Sequence, residues 1–149
     1  MAIKDTEDLV KAIKGVLATN LNTQITAINT EKADSMTIDS VSDYYYHLTE
    51  LPNKDPFINI AIKPIKTESL HQNTARIIKL GIDLVFRAEN IDGEKQIFKS
   101  LRYTRALVQA LQKGAFEFDI KVEEMQPLPL DTGGEQVLVC GVEVTSALA

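Results

Sequence analysis

The chain has 149 residues, of which 44% are hydrophobic and 25% are charged, and it carries a net charge of −5. These values are typical of an ordinary globular protein, so we expect a single domain over residues 1–149. The acidic balance argues against a protein that wraps nucleic acid. The single cysteine, Cys140, excludes an intramolecular disulfide. No apolar run reaches the roughly 18 residues of a membrane span, and the N-terminal stretch lacks the apolar core of a signal peptide, so we predict a cytoplasmic protein without membrane contact.

The first predicted element is an amphipathic helix. Thr6 is the expected N-cap, and apolar residues recur at three- and four-residue steps through residue 18. Asn20 and Asn22 weaken this pattern, which then continues to Ile28. The sequence therefore leaves open one bent helix or two helices that break near Asn20. The polar stretch that follows is predicted to be a long connection with a short strand at its centre.

Alternation of apolar and polar residues predicts four strands in the rest of the chain. They are centred on FINIAI, IIKLGIDLVFRA, FEFDIKV and QVLVCGVEV, and the second strand, over residues 74–88, is longer than most. A helix that begins at Asp92 or Gly93 and ends at Gly114 separates the second strand from the third. The order predicts an α+β fold, with a four-stranded, mainly antiparallel sheet and two helical elements packed on one face. The expected buried stripe of the second helix is Ile97, Leu101, Thr104, Val108 and Leu111.

Few residues are candidates for catalysis or metal binding. His47 and His71 are the only histidines, and with Asp43 or Glu50 they could bind a metal. Both histidines lie in polar, loop-like segments separated by a strand, so we interpret them as solvated. Cys140 lies in mid-strand among valines, where a small buried hydrophobe is expected rather than a reactive thiolate. The sequence therefore predicts neither an enzyme nor a cofactor or metal site.

Two further motifs have structural interpretations. The DTGG stretch, residues 131–134, is similar to an aspartic-protease or phosphate-loop signature. The chain is too short for the protease fold and a strand rather than a helix follows the motif, so we predict a hairpin turn. The basic residues of the second helix, including Lys99, Arg102 and Arg105, are interpreted as a solvated or interface face because the chain is acidic overall.

Three consecutive tyrosines, Tyr44, Tyr45 and Tyr46, stand in the long connection. One face of a strand or helix cannot use three consecutive side chains, so this segment must be covered on more than one side. Tyrosine is enriched at interfaces, and we expect one ring to fill the domain core while its neighbours contact another subunit. The alternative is packing of a long loop onto its own helices.

The arrangement of nearly the whole chain resembles a family of virion proteins. An amphipathic N-terminal helix runs into LNTQITAI, and a loop with LP and an alternating stretch follows as LPNKDPFINIAI. A long alternating strand, an amphipathic helix and two closing strands complete the pattern. In this order the chain is similar to the small neck proteins of long-tailed bacteriophages, especially the tail terminator, or tail completion, proteins.

The resemblance implies an α+β subunit that assembles with copies of itself into a hexameric ring. Such a ring caps the tail tube, terminates tail elongation and joins the tail to the head connector or stopper protein, while DNA passes through without sequence-specific binding. We therefore expect a structural protein of the virion neck that is assembled in the host cytoplasm. The hypothetical subunit or tube interface is Tyr44, Tyr45, Tyr46 and Phe57, and the hypothetical acidic lumen or loop surface is Glu123, Glu124, Asp131 and Glu135.

Two other functions stay open at the level of sequence. A head–tail connector or stopper protein of the same neck would have a very similar sequence. A small α+β module that binds a ligand in an apolar pocket would differ by remaining a monomer.

Overall fold

The computed structural model describes residues 4–63, 69–70, 73–74, 77–89, 93–114, 119–123, 126–132 and 135–147. Within these ranges lie two helices, α1 (Thr6–Lys32) and α2 (Gly93–Gln112). The strands are β1 (Asp43–Tyr46), β2 (Phe57–Ile62), β3 (Ser69–Leu70), β4 (Asn73–Thr74), β5 (Ile77–Glu89), β6 (Asp119–Val122), β7 (Gln126–Thr132) and β8 (Glu135–Ala147). The sheet has the order β1-β2-β5-β8-β6, β7 also pairs with β8, and the short strands β3 and β4 pair with each other.

The predicted α+β fold with a mainly antiparallel sheet is confirmed, but the predicted count of four strands is wrong. The described residues form a six-stranded sheet in which β1 is parallel to β2 and the other neighbours are antiparallel. The additional sheet strands are β1, which is the short strand predicted at the centre of the long connection and consists of Asp43 and the three tyrosines, and β7, which lies in the predicted turn region.

Prolines account for the difference between the predicted turn and the observed strand β7. Pro127 lies opposite Leu138 in the ladder, and the pairing with β8 is irregular between Leu128 and Asp131. Proline has no N–H to donate, and it is tolerated in a strand at a sheet edge or at a bulge, as here. The predicted hairpin at DTGG is supported by the pairing of β7 with β8 up to its last residues, while residues 133–134 lie outside the described ranges.

Helix α1 is continuous, which decides between the alternatives left open by the sequence. Its N-cap is Asp5 rather than Thr6, and the Asp5 carboxylate accepts a hydrogen bond from the Asp8 N–H at 2.8 Å. The Asn20 amide donates to the Val16 carbonyl oxygen of the preceding turn and does not break the helix.

Two other asparagines attach the following loop, residues 33–42, to α1. The Asn22 amide donates to the Val41 carbonyl at 2.9 Å and accepts from the Val41 N–H at 2.7 Å. Asn29 makes the same two bonds with Ile38, both at 2.9 Å. Each amide thus satisfies two backbone groups, which allows the loop to bury the side chains of Ile38 and Val41 in the core.

We expect Asn29→Ala to lower the free energy of unfolding by about 1–3 kcal/mol, because the N–H and C=O of Ile38 lose their partners in a partly buried site. Urea denaturation followed by circular dichroism measures the loss. Asn20→Ala is the matched control on the same helix: its amide bonds only a helical carbonyl, and alanine favours helix, so stability should be unchanged or slightly higher. Equal losses in the two variants would contradict this role of Asn29.

Both helices pack on the same face of the sheet, as predicted. The core between them and the sheet is continuous and includes the alternating residues of β2, β5 and β8. The buried residues of α1 are Leu9, Ala12, Ile13, Val16, Leu17, Leu21, Ile25 and Ile28, and those of α2 are Ser100, Arg102, Tyr103, Ala106, Leu107, Ala110 and Leu111.

The predicted buried stripe of α2 is wrong in the first half of the helix. Ile97 and Leu101 are 52% and 62% exposed, whereas Arg102 is buried. The guanidinium of Arg102 donates to both carboxylate oxygens of Asp34, at 2.9 and 2.6 Å, and also to the Met36 carbonyl. Because of this contact with the loop, the polar side of α2 is buried at Arg102. The interpretation of Arg102 as a solvated or interface residue is therefore wrong.

Candidate functional site

The sheet face opposite the helices carries an open groove of about 1040 Å³. The groove is apolar at one end, where Phe57, Val85 and Val139 belong to a second, smaller cluster. It is polar at the other end, where Asp83 and Glu123 line it. A groove that is apolar at one end and charged at the other can bind a molecule that has apolar and charged groups at its two ends.

A loop, residues 47–56, folds over the apolar end of this groove. Its Leu48 N–H donates to the side-chain oxygen of Asn59 at 3.1 Å. The Arg87 guanidinium donates to the Pro52 carbonyl at 2.8 Å, and its backbone N–H donates to Asp55 at 3.1 Å. These bonds attach the loop to β2 and β5, so the second cluster is partly covered by the chain itself.

An ion-pair network lies across the polar end of the groove. The Lys63 ammonium donates to Glu143 at 3.0 Å and also to Glu123. A Cβ atom added to Gly81 would lie 3.0 Å from Cε of Lys63, and one added to Gly141 would lie 3.0 Å from a carboxylate oxygen of Glu123. The two glycines therefore let these long side chains lie flat on the sheet. The hydrogen bond from Lys63 holds the pKa of Glu143 below its usual value.

The carboxylate of Asp83 lines the groove, and its negative charge is poorly compensated. Its carboxylate lies close to that of Glu123, because both are next to the position of a Gly141 Cβ atom, at 3.3 and 3.0 Å. Burial, with a further contribution from the charge of Glu123, raises the pKa of Asp83 above its ordinary value of 3.8. The ionised form is thus disfavoured in the folded protein.

We expect Asp83→Asn to increase the free energy of unfolding at neutral pH. A carboxyl whose folded pKa is raised destabilises the fold while it is ionised, and this destabilisation disappears as the pH falls through the folded pKa towards 3.8. The gain should therefore vanish near about pH 3, where Asp83 is protonated in both states. Glu143→Gln is the matched control with the opposite sign, since the folded pKa of Glu143 is lowered. A loss of stability in Asp83→Asn at pH 7 would contradict the argument.

Strand β1 places the three tyrosines on two sides of the sheet. Tyr44 packs against the main core, and burial raises its pKa. Tyr45 lies on the groove side, where its ring meets Phe57 edge-on at a centroid distance of 5.6 Å. Tyr46 is 46% exposed. The expectation that this segment is covered on more than one side is confirmed.

Burial of some of these residues reduces the surface that is available for the predicted subunit interface. Phe57 is 2% exposed, and its surface is taken up by Tyr45, Leu48 and Leu51 of the same chain. Among Tyr44, Tyr45, Tyr46 and Phe57, Tyr46 has the most surface available for another subunit. The contact role of Tyr46 stays a prediction.

The four acidic residues predicted for a lumen or loop surface are separated along β8. Glu123 donates its N–H to the Gly141 carbonyl, and its carboxylate is paired with Lys63. Asp131 and Glu135 lie at the β7–β8 hairpin, at the other end of β8. Glu124 lies outside the described residues. Of the predicted acidic residues, Asp131 and Glu135 are therefore the two that the described backbone brings close together.

One edge of the sheet is the four-residue strand β1, and the other is shared by the four-residue strand β6 and by β7, which pair with different halves of β8. β1 pairs with β2 and β6 pairs with β8, and no other described strand pairs with either. Tyr46 of β1 and Val122 of β6 lie in one cross-strand row, which passes through Ile60, Ile82 and Val142. Val122 is 51% exposed, although its place in an alternating strand predicted a buried residue. Its exposure depends on the sheet ending there, which the sequence pattern does not reveal.

Two of the residues considered for metal or thiol chemistry, His47 and Cys140, lie within the described ranges. Within the described ranges, no group of three or more His, Cys, Asp or Glu residues is placed to hold a metal ion. His47 accepts a hydrogen bond from the Ile62 N–H at 3.2 Å, and His71 lies outside the described residues. Cys140 is buried, as predicted, and burial raises its pKa to about 11.

We expect the Cys140 thiol to resist maleimide in the native protein at about pH 7–8, because it is both buried and protonated there. Mass spectrometry after a timed reaction should find no adduct, and one adduct per chain after denaturation in urea. Rapid stoichiometric labelling of the native protein would contradict the burial of Cys140.

No protein-family model matches the chain, and no curated protein sequence matches it. Among the described residues, no helix is both long and apolar enough to cross a membrane. A proposal for function therefore rests on the groove and on the two sheet edges.

Proposed function

We propose that the protein is a structural subunit of the neck of a long-tailed bacteriophage, and that it forms a ring that caps the tail tube, terminates tail elongation and joins the tail to the head. The observation that carries the proposal is the pair of four-residue edge strands, β1 and β6, each with an exposed hydrophobic residue in the same row, Tyr46 and Val122. Unpaired strand edges readily bind other chains. Because the two edges are different surfaces, copies join head to tail, and such contacts close into a ring when the rotation between copies allows it.

The charge of the chain is compatible with DNA passing through a ring. The net charge of −5 repels phosphates, so DNA would slide rather than bind. The β7–β8 hairpin with Asp131 and Glu135, together with Glu124, is proposed to contribute negative surface to the lumen. The tail tube protein and a head connector or stopper protein are the proposed partners, and a hexamer is the proposed size.

Deleting the coding sequence from the phage that carries it tests the proposed role. A terminator is expected to leave tails of uncontrolled, excessive length in electron micrographs. Heads that leak DNA, with tails of normal length, would instead assign the protein to the stopper or connector of the same neck. Infectious particles of normal morphology would overturn both assignments. Expression of the intact gene from a plasmid is the control and should restore normal tails.

A second candidate is a ligand-binding module that uses the open groove. The groove volume of about 1040 Å³ is comparable to the volumes of small-molecule binding sites. Its lining combines an apolar end with a few charged groups. This function predicts a monomer at all concentrations that binds an apolar dye such as anilinonaphthalene sulfonate with one site per chain. An assembled protein without such a site would exclude it.

A further inference from the structure

We propose that neighbouring copies join by antiparallel pairing of the β6 edge of one copy with the β1 edge of the next, so that the sheet continues from subunit to subunit. This inference rests on the proposed ring and specifies the contact that builds it. The occupant of each edge is a second copy of this chain, since every copy carries both edges.

Strand directions determine the type of pairing. β1 is parallel to β2, whereas each step from β2 to β5, from β5 to β8 and from β8 to β6 reverses direction. β6 therefore runs opposite to β1. A second copy in the same orientation, placed so that its sheet extends the first, brings the two edges together as antiparallel strands of equal length, which is the commoner and slightly more stable pairing.

Side chains at the two edges match on both faces of such a joined sheet. Tyr46 and Val122 share a row and hence a face, so apolar side chains meet there. On the opposite face β1 carries Asp43 and β6 carries Lys121, which are of opposite charge. The antiparallel register that places Asp43 opposite Lys121 also places Tyr44 opposite Ile120, so opposite charges meet on one face and apolar groups meet on the other, with Tyr46 and Val122 at the two ends of the junction.

Space for an incoming strand exists beside β1. A groove of about 460 Å³ runs between α1 and β1 and is lined by Lys14 and Ala18 of the helix. The edge of β1 is thus accessible to the strand proposed to bind it.

The test is cross-linking of the full-length double variant Asp43→Cys/Lys121→Cys with a short flexible bismaleimide. The two new thiols lie on the same face, and the native Cys140 is buried. Denaturing gels are expected to show a ladder of dimer, trimer and higher species that stops at the subunit number of the ring. Each single variant is expected to remain at one subunit, because a head-to-tail contact needs both positions.

Two outcomes would overturn the edge pairing. Dimers from Asp43→Cys alone, without higher species, would indicate that β1 pairs with another β1. A double variant that assembles by light scattering but yields no ladder would show that another surface forms the contact, and the proposed neck function would stand. Conversely, a full ladder in a protein whose deletion leaves tails and heads normal would retain the edge pairing and overturn the neck function.

Discussion

Val122→Lys is expected to abolish or strongly weaken assembly while leaving the subunit folded. The side chain is 51% exposed in the single chain, so the substitution removes little packing from the fold. In the ring, however, the lysine would lie in the junction with the next β1, and a charge at a strand edge opposes pairing with another chain. We expect association to weaken by roughly 10–100-fold, which corresponds to about 1.4–2.8 kcal/mol.

Sedimentation or light scattering measures this loss, and circular dichroism with urea denaturation verifies the fold. Leu101→Lys is the matched control, because Leu101 is a comparably exposed apolar residue, at 62%, and lies on α2 in a surface depression lined by Asp34 and Met36 and by no residue of β1 or β6. It should assemble like the unmodified protein. Loss of assembly in Leu101→Lys with normal assembly in Val122→Lys would move the interface from the sheet edges to α2.

Tyr46→Ser alters the other edge with little change to the fold, since Tyr46 is 46% exposed. Its partial loss of assembly should be visible in the same sedimentation experiment. Tyr45→Ser is the informative comparison, because the Tyr45 ring packs on Phe57 and its removal should lower stability as well. Unchanged oligomer size in Tyr46→Ser would count against the proposed contact at β1.

Tyr103→Ala is expected to lower the free energy of unfolding by about 3–5 kcal/mol, more than any other substitution proposed for this chain. The ring is buried and packs against Phe86 at a centroid distance of 4.9 Å. Its hydroxyl accepts a hydrogen bond from the Asp39 N–H at 2.9 Å, which attaches the loop that leads into β1. The alanine variant loses the packing and the loop contact together.

Tyr103→Phe separates these two contributions. It keeps the ring and leaves the Asp39 N–H without this partner, so a loss of about 1–2 kcal/mol is expected. Urea denaturation of both variants measures the difference. A phenylalanine variant as unstable as the alanine variant would show that the hydrogen bond, rather than the packing, dominates at this position.

The parts of the fold that follow from local pattern were predictable from sequence. Long alternation identified β5 and β8, because their residues alternate between the helix-covered face and the groove. The parts that depend on distant partners were not predictable. Pro127 indicates a turn when only the sequence is considered, because the sequence does not show that β7 lies at a sheet edge, where proline is tolerated. Arg102 looked solvated because its partner, Asp34, is 68 residues away.

The candidate site was predictable only in part, for the same physical reason. Three consecutive tyrosines indicated a segment with contacts on two sides, and β1 has this property. The exposure of Val122 and the pairing of Lys63 with Glu123 depend on where the sheet ends and on which strands become neighbours. The spacing of residues within one segment shows neither where the sheet ends nor which strands become neighbours.

The solution mass of the purified protein, measured by light scattering over a wide range of concentration and at two salt concentrations, tests the central claim most directly. A self-assembling ring predicts a mass that rises from that of one subunit, 16.5 kDa, to a plateau at a fixed multiple, sixfold for a hexamer. The Val122→Lys variant should stay at the mass of one subunit up to concentrations at which the unmodified protein has already assembled. A mass of one subunit for the unmodified protein at every concentration, or growth without a plateau, would contradict the claim that this chain forms a closed ring.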